Sequence, residues 1–538
     1  MARKQLVALG YILVFWGVLP GILVILAAWG ERVFGPGLPM PNLVPTGLTL
    51  AGVSGVLLAL SIVQYTRASG HLPISAFPPQ RLIRSGVFGL WRHPIYLFFI
   101  LFFGGFSVVF WPTGAVLAAV PALVAMTFVY ARLEESGLER RFGSLYRGHR
   151  RQTAIVVPRL IQFVRAVFAG LSRLFFRLEV LGREHIPEPP FIVVSAHRSF
   201  LDPFFILVAL GTPVHFITTS GMFRTPLSRF VFSRLLCLPA TRYKADVRNA
   251  LEIRRRLHEG CIVGMFPEAE RSWTGSMIGF KPEAVRLLGN LSAIPILPVR
   301  LQGTYAVWPR WARCPRRARV SVRIGTPFFA GNRLSPGELE SRLSGLMAPQ
   351  EGPVRRSSPI SARGIEAVIY RCPECLCFDS VHSGKGAHFE CSSCLAEFTL
   401  FSDFSVQRSG DSVRSSLADL SRRIRPVSGG GLTAGEPKLS PARAKLSRER
   451  NGRLEAVGAG HLNLSALQLM FEPMGPAVCI DLRDIRSLVI EGARKLEVYG
   501  GRPARLYQFT LVDQSALKWQ DVIGNAIRHH FGASPSPV

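Results

Sequence analysis

Two stretches without a single charged residue restrict this chain more than any other feature. Residues 6–29 (LVALGYILVFWGVLPGILVILAAW) and 96–130 both exceed the ~20 apolar residues an α-helix needs to cross a hydrocarbon core. A secretory signal is the alternative for the first run. The apolar part of a signal spans only ~7–15 residues, however, and further apolar segments follow here. Residues 47–64 supply another candidate span. Within 96–130, Trp111-Pro112-Thr113-Gly114 falls where a turn belongs, so that run predicts a hairpin of two helices. Four spans are expected in all.

Loop charges orient these spans. Arg3 and Lys4 precede the first, and Arg67, Arg81, Arg84 and Arg92 lie between the second and third. Arg132, Arg140, Arg141, Arg147, Arg150 and Arg151 follow the fourth, while the opposite side offers Arg32 beside Glu31. Positive loops stay inside. An integral protein of the inner (cytoplasmic) membrane is expected, with both termini and all soluble domains on the cytoplasmic face. The balance of 64 Lys and Arg against 35 Asp and Glu, a net +29, suits an anionic leaflet. Nucleic acid is the other polyanion such charge serves, and the apolar runs argue against it.

At 538 residues the chain exceeds one core, and ~100–200 residues per domain suggests three to five units. The fold class expected is a multidomain membrane protein: an α-helical transmembrane bundle, an α/β domain, a zinc ribbon and a small β-rich barrel capped by a helix. The boundaries read as 1–160 for the membrane domain and 161–345 for the α/β domain. A linker at 346–368, the ribbon at 369–402, a disordered basic linker at 403–451 and the barrel at 452–538 complete the order.

The segment Gly70-His-Leu-Pro73, Leu82-Ile-Arg-Ser-Gly86-Val-Phe88, Arg92-His93-Pro94-Ile-Tyr96 is followed by the apolar hairpin. Glu134-Glu135, Phe142-Gly143, Tyr146 and Val157-Pro158 come next. This order resembles the isoprenylcysteine carboxyl methyltransferase and phospholipid methyltransferase superfamily, over about residues 47–160. The resemblance implies that Arg92, His93, Tyr96, Glu134 and Glu135 line a pocket for S-adenosylmethionine. That cofactor is a sulfonium bearing a carboxylate, so acidic and basic groups are both needed. Two other readings are open: Arg92 snorkelling to headgroups, and Glu134 and Glu135 as a solvated face. His149 stands where the family often has a second tyrosine.

Residues 191–202 read Phe-Ile-Val-Val-Ser-Ala-His197-Arg-Ser-Phe-Leu-Asp202. An apolar β-branched run ends at a histidine, and the aspartate before Pro203 suits a helix start. The pair is the base-and-orienter half of a triad, leaving a substrate hydroxyl to act as nucleophile. Alone the spacing is common. Downstream follow Arg242 after Leu238-Pro239, then Phe266-Pro-Glu268-Ala-Glu-Arg271-Ser272, Phe280-Lys281, Ile294-Pro-Ile-Leu-Pro-Val299 and Val322-Arg-Ile-Gly-Thr-Pro327.

This ordered set resembles the glycerolphosphate/lysophosphatidate acyltransferase family, over about residues 175–330. The resemblance implies His197 as general base and Asp202 as its orienter, with Glu268, Arg271 and Arg242 binding a phosphorylated acceptor. The acyl donor is a thioester of coenzyme A or acyl carrier protein. Ala269 replaces the family's glycine, and Glu270 puts an acid beside the phosphate arginine. Thr219 and Gly221 stand where Lys and Glu are common. A non-phosphate acceptor is therefore still open. The stretch Leu160–Leu178, with Arg165, Arg173 and Arg177 among Phe and Leu, reads as a helix lying on the bilayer or an ordinary packing helix.

Five of nine cysteines lie within 372–394. Cys372, Cys375, Cys391 and Cys394 form two CxxC knuckles, whose thiolates select structural zinc; a redox dithiol pair is the alternative. From Gly452 short alternating strands return (His461–Phe471, Ala477–Ile480, Ile485–Glu491, Lys495–Tyr499, Tyr507–Val512), before an amphipathic stretch Ala516–Phe531. Strands capped by one helix look like a pleckstrin-homology-type barrel, serving phosphoinositide or protein docking or simply packing. Expected partners are membrane lipids and the acyl-thioester donor, with no nucleic acid. Two further readings compete with acyl transfer: a lipid methyltransferase with a non-catalytic acyltransferase-like part, and a membrane scaffold without enzymatic activity.

Overall fold

The computed structural model describes residues 13–34, 43–73, 82–83, 86–152, 160–241, 243, 246–331, 334–348, 358–384, 386–425, 440–450, 453–473 and 475–532. The chain forms two compact units, Met1–Val167 and Phe168–Val538.

In the first unit, apolar helices run Leu19–Phe34, Val44–Ser69 and Pro94–Phe110, and a fourth, Val120–Gln152, is apolar only at its start and is kinked at Gly143. The turn expected at Trp111 is present: its backbone leaves the helix (φ −139°, ψ 69°) and helical geometry resumes at Pro112. Gly114 packs so closely on the first helix that a Cβ there would collide with the Ala27 carbonyl and the Glu31 amide nitrogen. The Glu31 carboxylate in turn accepts from the Gly114 N–H at 2.8 Å. Among the described residues one helix, Val44–Ser69, is long and apolar enough to cross a membrane, and Pro94–Phe110 is apolar but shorter. The first and last apolar runs each contain a π-helical turn, Val14–Val18 and Ala115–Ala119. Leu19–Phe34, at 16 residues, is shorter than a span, and Val120–Gln152 is long enough but turns charged from Arg132.

The second unit is built on a seven-stranded sheet: β1 (Glu179–Leu181), β2 (Ile192–Ser195), β3 (His215–Thr219), β4 (Leu238–Ala240), β5 (Val263–Met265), β6 (Ile296–Gln302) and β7 (Ser321–Ile324). The order is β1-β7-β6-β2-β5-β3-β4, parallel except for the β6–β7 pair. Strand β2 is buried on both faces, as its unbroken apolar run requires. Phe191 and Val193 join Phe205, Leu297 and Val299 on one side. Ile192 and Val194 join Leu238, Ile253, Leu257 and Leu288 on the other. Each such side chain contributes about 1.5–3 kcal/mol on burial.

Beyond the sheet the boundaries differ from those expected. Residues 358–368 are no linker, since Ala362, Ile365 and Val368 are completely buried. Nor does the ribbon end at 402. Its sheet, in the order β12-β11-β10-β9-β8, comprises β8 (Val381–Ser383), β9 (His388–Cys391), β10 (Glu397–Leu400), β11 (Ser405–Arg408) and β12 (Ser415–Ser416). A helix, Leu417–Arg423, follows. Polar composition suggested disorder at 403–451, but Val406, Leu417, Leu420 and Ile424 are apolar at spacings that reach one core. Residues 426–439 lie outside those described.

The last sheet starts before 452, with β13 (Ala442–Arg450) paired to β14 (Arg453–Leu464). Then come β15 (Gln468–Pro473), β16 (Val478–Asp481), β17 (Ile485–Glu491), β18 (Lys495–Gly500) and β19 (Arg505–Leu511), antiparallel in the order β16-β15-β14-β13-β19-β18-β17. The single strand expected at His461–Phe471 is two, because Ser465 opens a turn in which its hydroxyl accepts from the Gln468 N–H at 3.0 Å. The helix Ala516–Phe531 forms as read, capped by the Ser515 hydroxyl and by left-handed Gly532.

Candidate active site and metal centre

Strands β2 and β5 are parallel neighbours, with Ile192 opposite Val263 and Val194 opposite Met265. The loops at their carboxyl ends therefore meet, which is where open α/β sheets bind ligands. His197 stands two residues past β2, and Phe266–Arg271 directly follows β5. The loops are joined where the Ser272 N–H donates to the His197 carbonyl at 2.9 Å. The His197 ring stacks on Phe266, with centroids 4.2 Å apart.

Asp202 begins the helix Asp202–Leu210 and is fully buried. Its Oδ2 accepts from the backbone N–H groups of Arg198 and Ser199, both at 2.7 Å, and lies 3.0 Å from His197 Nδ1. With Nδ1–H donating to that carboxylate, Nε2 is left as the basic nitrogen. Burial pushes the imidazole pKa down against the opposing pull of Asp202, with Arg271 and Arg310 adding to the depression. A neutral base results.

Glu268 is buried beside this pair, and its Oε2 accepts from the His197 N–H at 3.4 Å. Burial pushes its carboxyl up to about 8, so at neutral pH it carries a proton to donate. Arg271 is half-buried, with its guanidinium 5.9 Å from the centre of the Phe200 ring. Ala269 takes the left-handed conformation, φ 56°, that explains glycine at this motif position. Arg242 lies outside the described residues, as do Val157 and Pro158. Sequence reasoning missed Arg198: it is buried, and its Nε and Nη2 have no hydrogen-bond partner among the described residues. Its position directly after the histidine was the available signal.

In the first unit the five expected cofactor residues do converge. Arg92 Nη1 reaches Glu135 Oε1 at 2.8 Å, His93 Nδ1 reaches Glu134 Oε2 at 3.2 Å, and His93 Nε2 lies 3.6 Å from Glu135 Oε1. Tyr96 stacks on His93 at 5.8 Å. Gln64 was not foreseen; its Oε1 accepts the Val87 N–H at 3.1 Å and steadies the glycine–aromatic step. Acid and base within one cluster fit a ligand carrying both a cation and a carboxylate.

The four ribbon sulfurs lie within 4.8 Å of one another. Cys372 Sγ is 3.7 Å from Cys394 Sγ, and Cys375 Sγ is 3.6 Å from Cys391 Sγ. A tetrahedron with Zn–S bonds of about 2.3 Å has edges of about 3.8 Å, so this donor set fits zinc. Cys377 is not one of these four.

The acyltransferase family matches residues 177–302, and the phospholipid methyltransferase family matches residues 46–144. The chain thus carries one domain of each family. Among curated relatives, the chloroplastic 1-acyl-sn-glycerol-3-phosphate acyltransferase of Brassica napus is 30% identical over 154 residues, 27% of this chain and 44% of that protein. The 1-acyl-sn-glycerol-3-phosphate acyltransferase of Pseudomonas aeruginosa is 30% identical over 173 residues, 29% of this chain and 60% of that protein. The chain spans about half the length of the curated relatives it matches. Among solved structures, the 1-acyl-sn-glycerophosphate acyltransferase PlsC of Thermotoga maritima matches at 23% identity and a TM-score of 0.31, covering 36% of this chain and 81% of that one.

Proposed function

We propose that this chain is a membrane-bound O-acyltransferase, moving a fatty acyl group from a thioester to the hydroxyl of a lysophosphatidate-type acceptor. The observation that carries the reading is the His197–Asp202 pair at 3.0 Å, tied through Ser272 to the loop of Glu268 and Arg271. His197 Nε2 takes the acceptor proton as the hydroxyl oxygen attacks the thioester carbonyl. The C–S bond then breaks, and the imidazolium returns the proton to the leaving thiolate. Arg271 and Arg242 hold the phosphate by charge-assisted hydrogen bonds, and protonated Glu268 donates to the acceptor. Coenzyme A and acyl carrier protein both supply the required thioester.

The chain crosses the inner membrane four times through its first 130 residues, with its soluble domains cytoplasmic. Membrane lipids are its substrates. Zinc holds the ribbon, and the C-terminal barrel of pleckstrin-homology type docks protein or phosphoinositide. A second reading is favoured by the Arg92, His93, Glu134 and Glu135 cluster: the membrane domain binds S-adenosylmethionine and methylates a lipid, beside acyl transfer or in place of it.

The deciding measurement is acyl transfer from a fatty acyl thioester to lysophosphatidate in membranes containing wild-type protein or His197→Ala. Loss of general-base catalysis is expected to slow the variant by ~10²–10⁴-fold. Equal rates would leave the methyltransferase or a non-enzymatic scaffold as the surviving reading.

A further inference from the structure

The loop that carries Glu268 and Arg271 is gripped from outside its own sheet. Arg310, whose side chain is 2% exposed, donates from Nη1 to the Arg271 carbonyl at 3.2 Å and to Glu270 Oε2 at 3.4 Å. The same guanidinium donates from Nη2 to the Ile490 carbonyl at 2.7 Å and from Nε to the Gly492 carbonyl at 3.0 Å. Those two carbonyls lie at the end of β17 and in the β17–β18 turn of the C-terminal barrel. Trp273, two residues past Arg271, lies under Arg310 with 4.4 Å to its ring centre. It belongs to the same apolar core as Phe389 of the ribbon and Trp519 of the last helix.

Two further joints repeat the pattern. Arg224 reaches Glu497 at 2.7 Å and Glu491 at 3.5 Å, and Gln508 donates to both carboxylates. Tyr305 donates its hydroxyl to the Trp273 carbonyl at 2.7 Å while its ring meets Phe404 edge-on at 4.5 Å. A domain that merely hangs from a linker needs no buried arginine at its contact. Burying one is costly unless every direction of its fork is met, and here the fork is shared between the active-site loop and the barrel.

We propose that the C-terminal barrel is a built-in part of the acyl-acceptor site, with Arg310 as the positioning residue that sets where the Arg271 guanidinium stands. The inference rests on the proposed role of Arg271 as a phosphate ligand. It also accounts for Glu270: the acid beside that ligand is turned onto Arg310 and neutralised, instead of repelling the phosphate.

The test uses the full chain in membranes and reads KM and kcat separately for lysophosphatidate and for the acyl thioester. In Arg310→Gln the KM for lysophosphatidate is expected to rise about tenfold, with kcat and the thioester KM within about twofold. Arg310→Lys keeps the charge but loses the fork, and is expected to recover only part of the difference. Should the Arg310 variants fail to fold, Glu491→Gln with Glu497→Gln loosens the barrel at its other joint and is expected to raise the same KM. An unchanged lysophosphatidate KM alongside a lowered melting temperature overturns the proposal, as does a fall confined to kcat. Wild-type membranes that transfer no acyl group overturn the acyltransferase reading itself, before any variant is measured.

Discussion

In the membrane unit Arg92, His93, Glu134 and Glu135 neutralise one another, whereas in the acyltransferase crevice His197 faces a carboxylate already committed to two backbone N–H groups. The first arrangement is a set of mutual pairs, and an incoming ligand must exchange its own charges for theirs. The second holds a neutral base in one orientation and leaves Nε2 for the substrate. Exchangeable pairs suit the binding of a zwitterionic ligand; a fixed, uncharged imidazole suits proton transfer. The difference lies in what each carboxylate does, so substitutions at the carboxylates probe it best.

Among the carboxylate substitutions, the largest effect is expected from Asp202→Asn. Only Oδ2 receives the three donors, while Oδ1 has no partner among the described residues. An asparagine places its oxygen on the donors and its NH2 where Oδ1 was, preserving orientation but removing the charge that stabilises the imidazolium. Losing a charge-assisted bond of about 1.5–3 kcal/mol slows acyl transfer by roughly 10–150-fold. Any affinity of the first unit for S-adenosylmethionine is expected to stay unchanged. A variant with wild-type turnover would show that the crevice uses no buried counter-charge, and the contrast between the sites would collapse.

Glu135→Gln is the reciprocal substitution. It takes one carboxylate from both Arg92 and His93, and the affinity for S-adenosylmethionine is expected to drop about tenfold, the worth of one charged pair. Acyl transfer is unaffected. Titration calorimetry on detergent-solubilised protein reads the first, and the transfer assay the second. Unaltered cofactor affinity would reduce the cluster to a structural ion-pair network.

The pH profile separates the plans more gently. Because burial lowers the His197 pKa, the active neutral form persists to more acid solution than an ordinary imidazole near 6.5 allows. The acid limb of kcat/KM for acyl transfer is thus expected to have its midpoint below 6.5, with activity rising through it toward neutral pH. A midpoint at or above 6.5 would mean that Asp202 outweighs burial.

How far the sequence carries depends on how local each feature is. His197 and Asp202 sit five residues apart across one strand-to-helix turn, and the cysteines lie in two short knuckles; both were legible as spacing. The helix Ala516–Phe531 was legible as one amphipathic stretch, and the structure adds its caps, Ser515 and Gly532. The Arg310–Ile490 joint links residues 180 positions apart and leaves no periodicity to read. Residues 403–425 misled through composition, since a few apolar side chains spaced among Ser and Arg are enough to anchor them in a core formed by distant strands.

The smallest expected effect comes from Ala269→Gly. Ala269 holds φ at 56° so that its N–H can donate to the Phe266 carbonyl at 2.9 Å. That left-handed conformation costs an L-residue about 1–2 kcal/mol, while glycine adds about 0.4–1 kcal/mol of entropy to the unfolded chain. The side chain is exposed, so removing it leaves no cavity. The difference favours glycine by up to about 1.6 kcal/mol, and the melting temperature of the second unit is expected to rise by up to roughly 3 °C. The first unit gains nothing, because the strain lies wholly in the loop after β5. A lower melting temperature for the glycine variant would mean that the alanine methyl stabilises this loop more than its backbone strain costs.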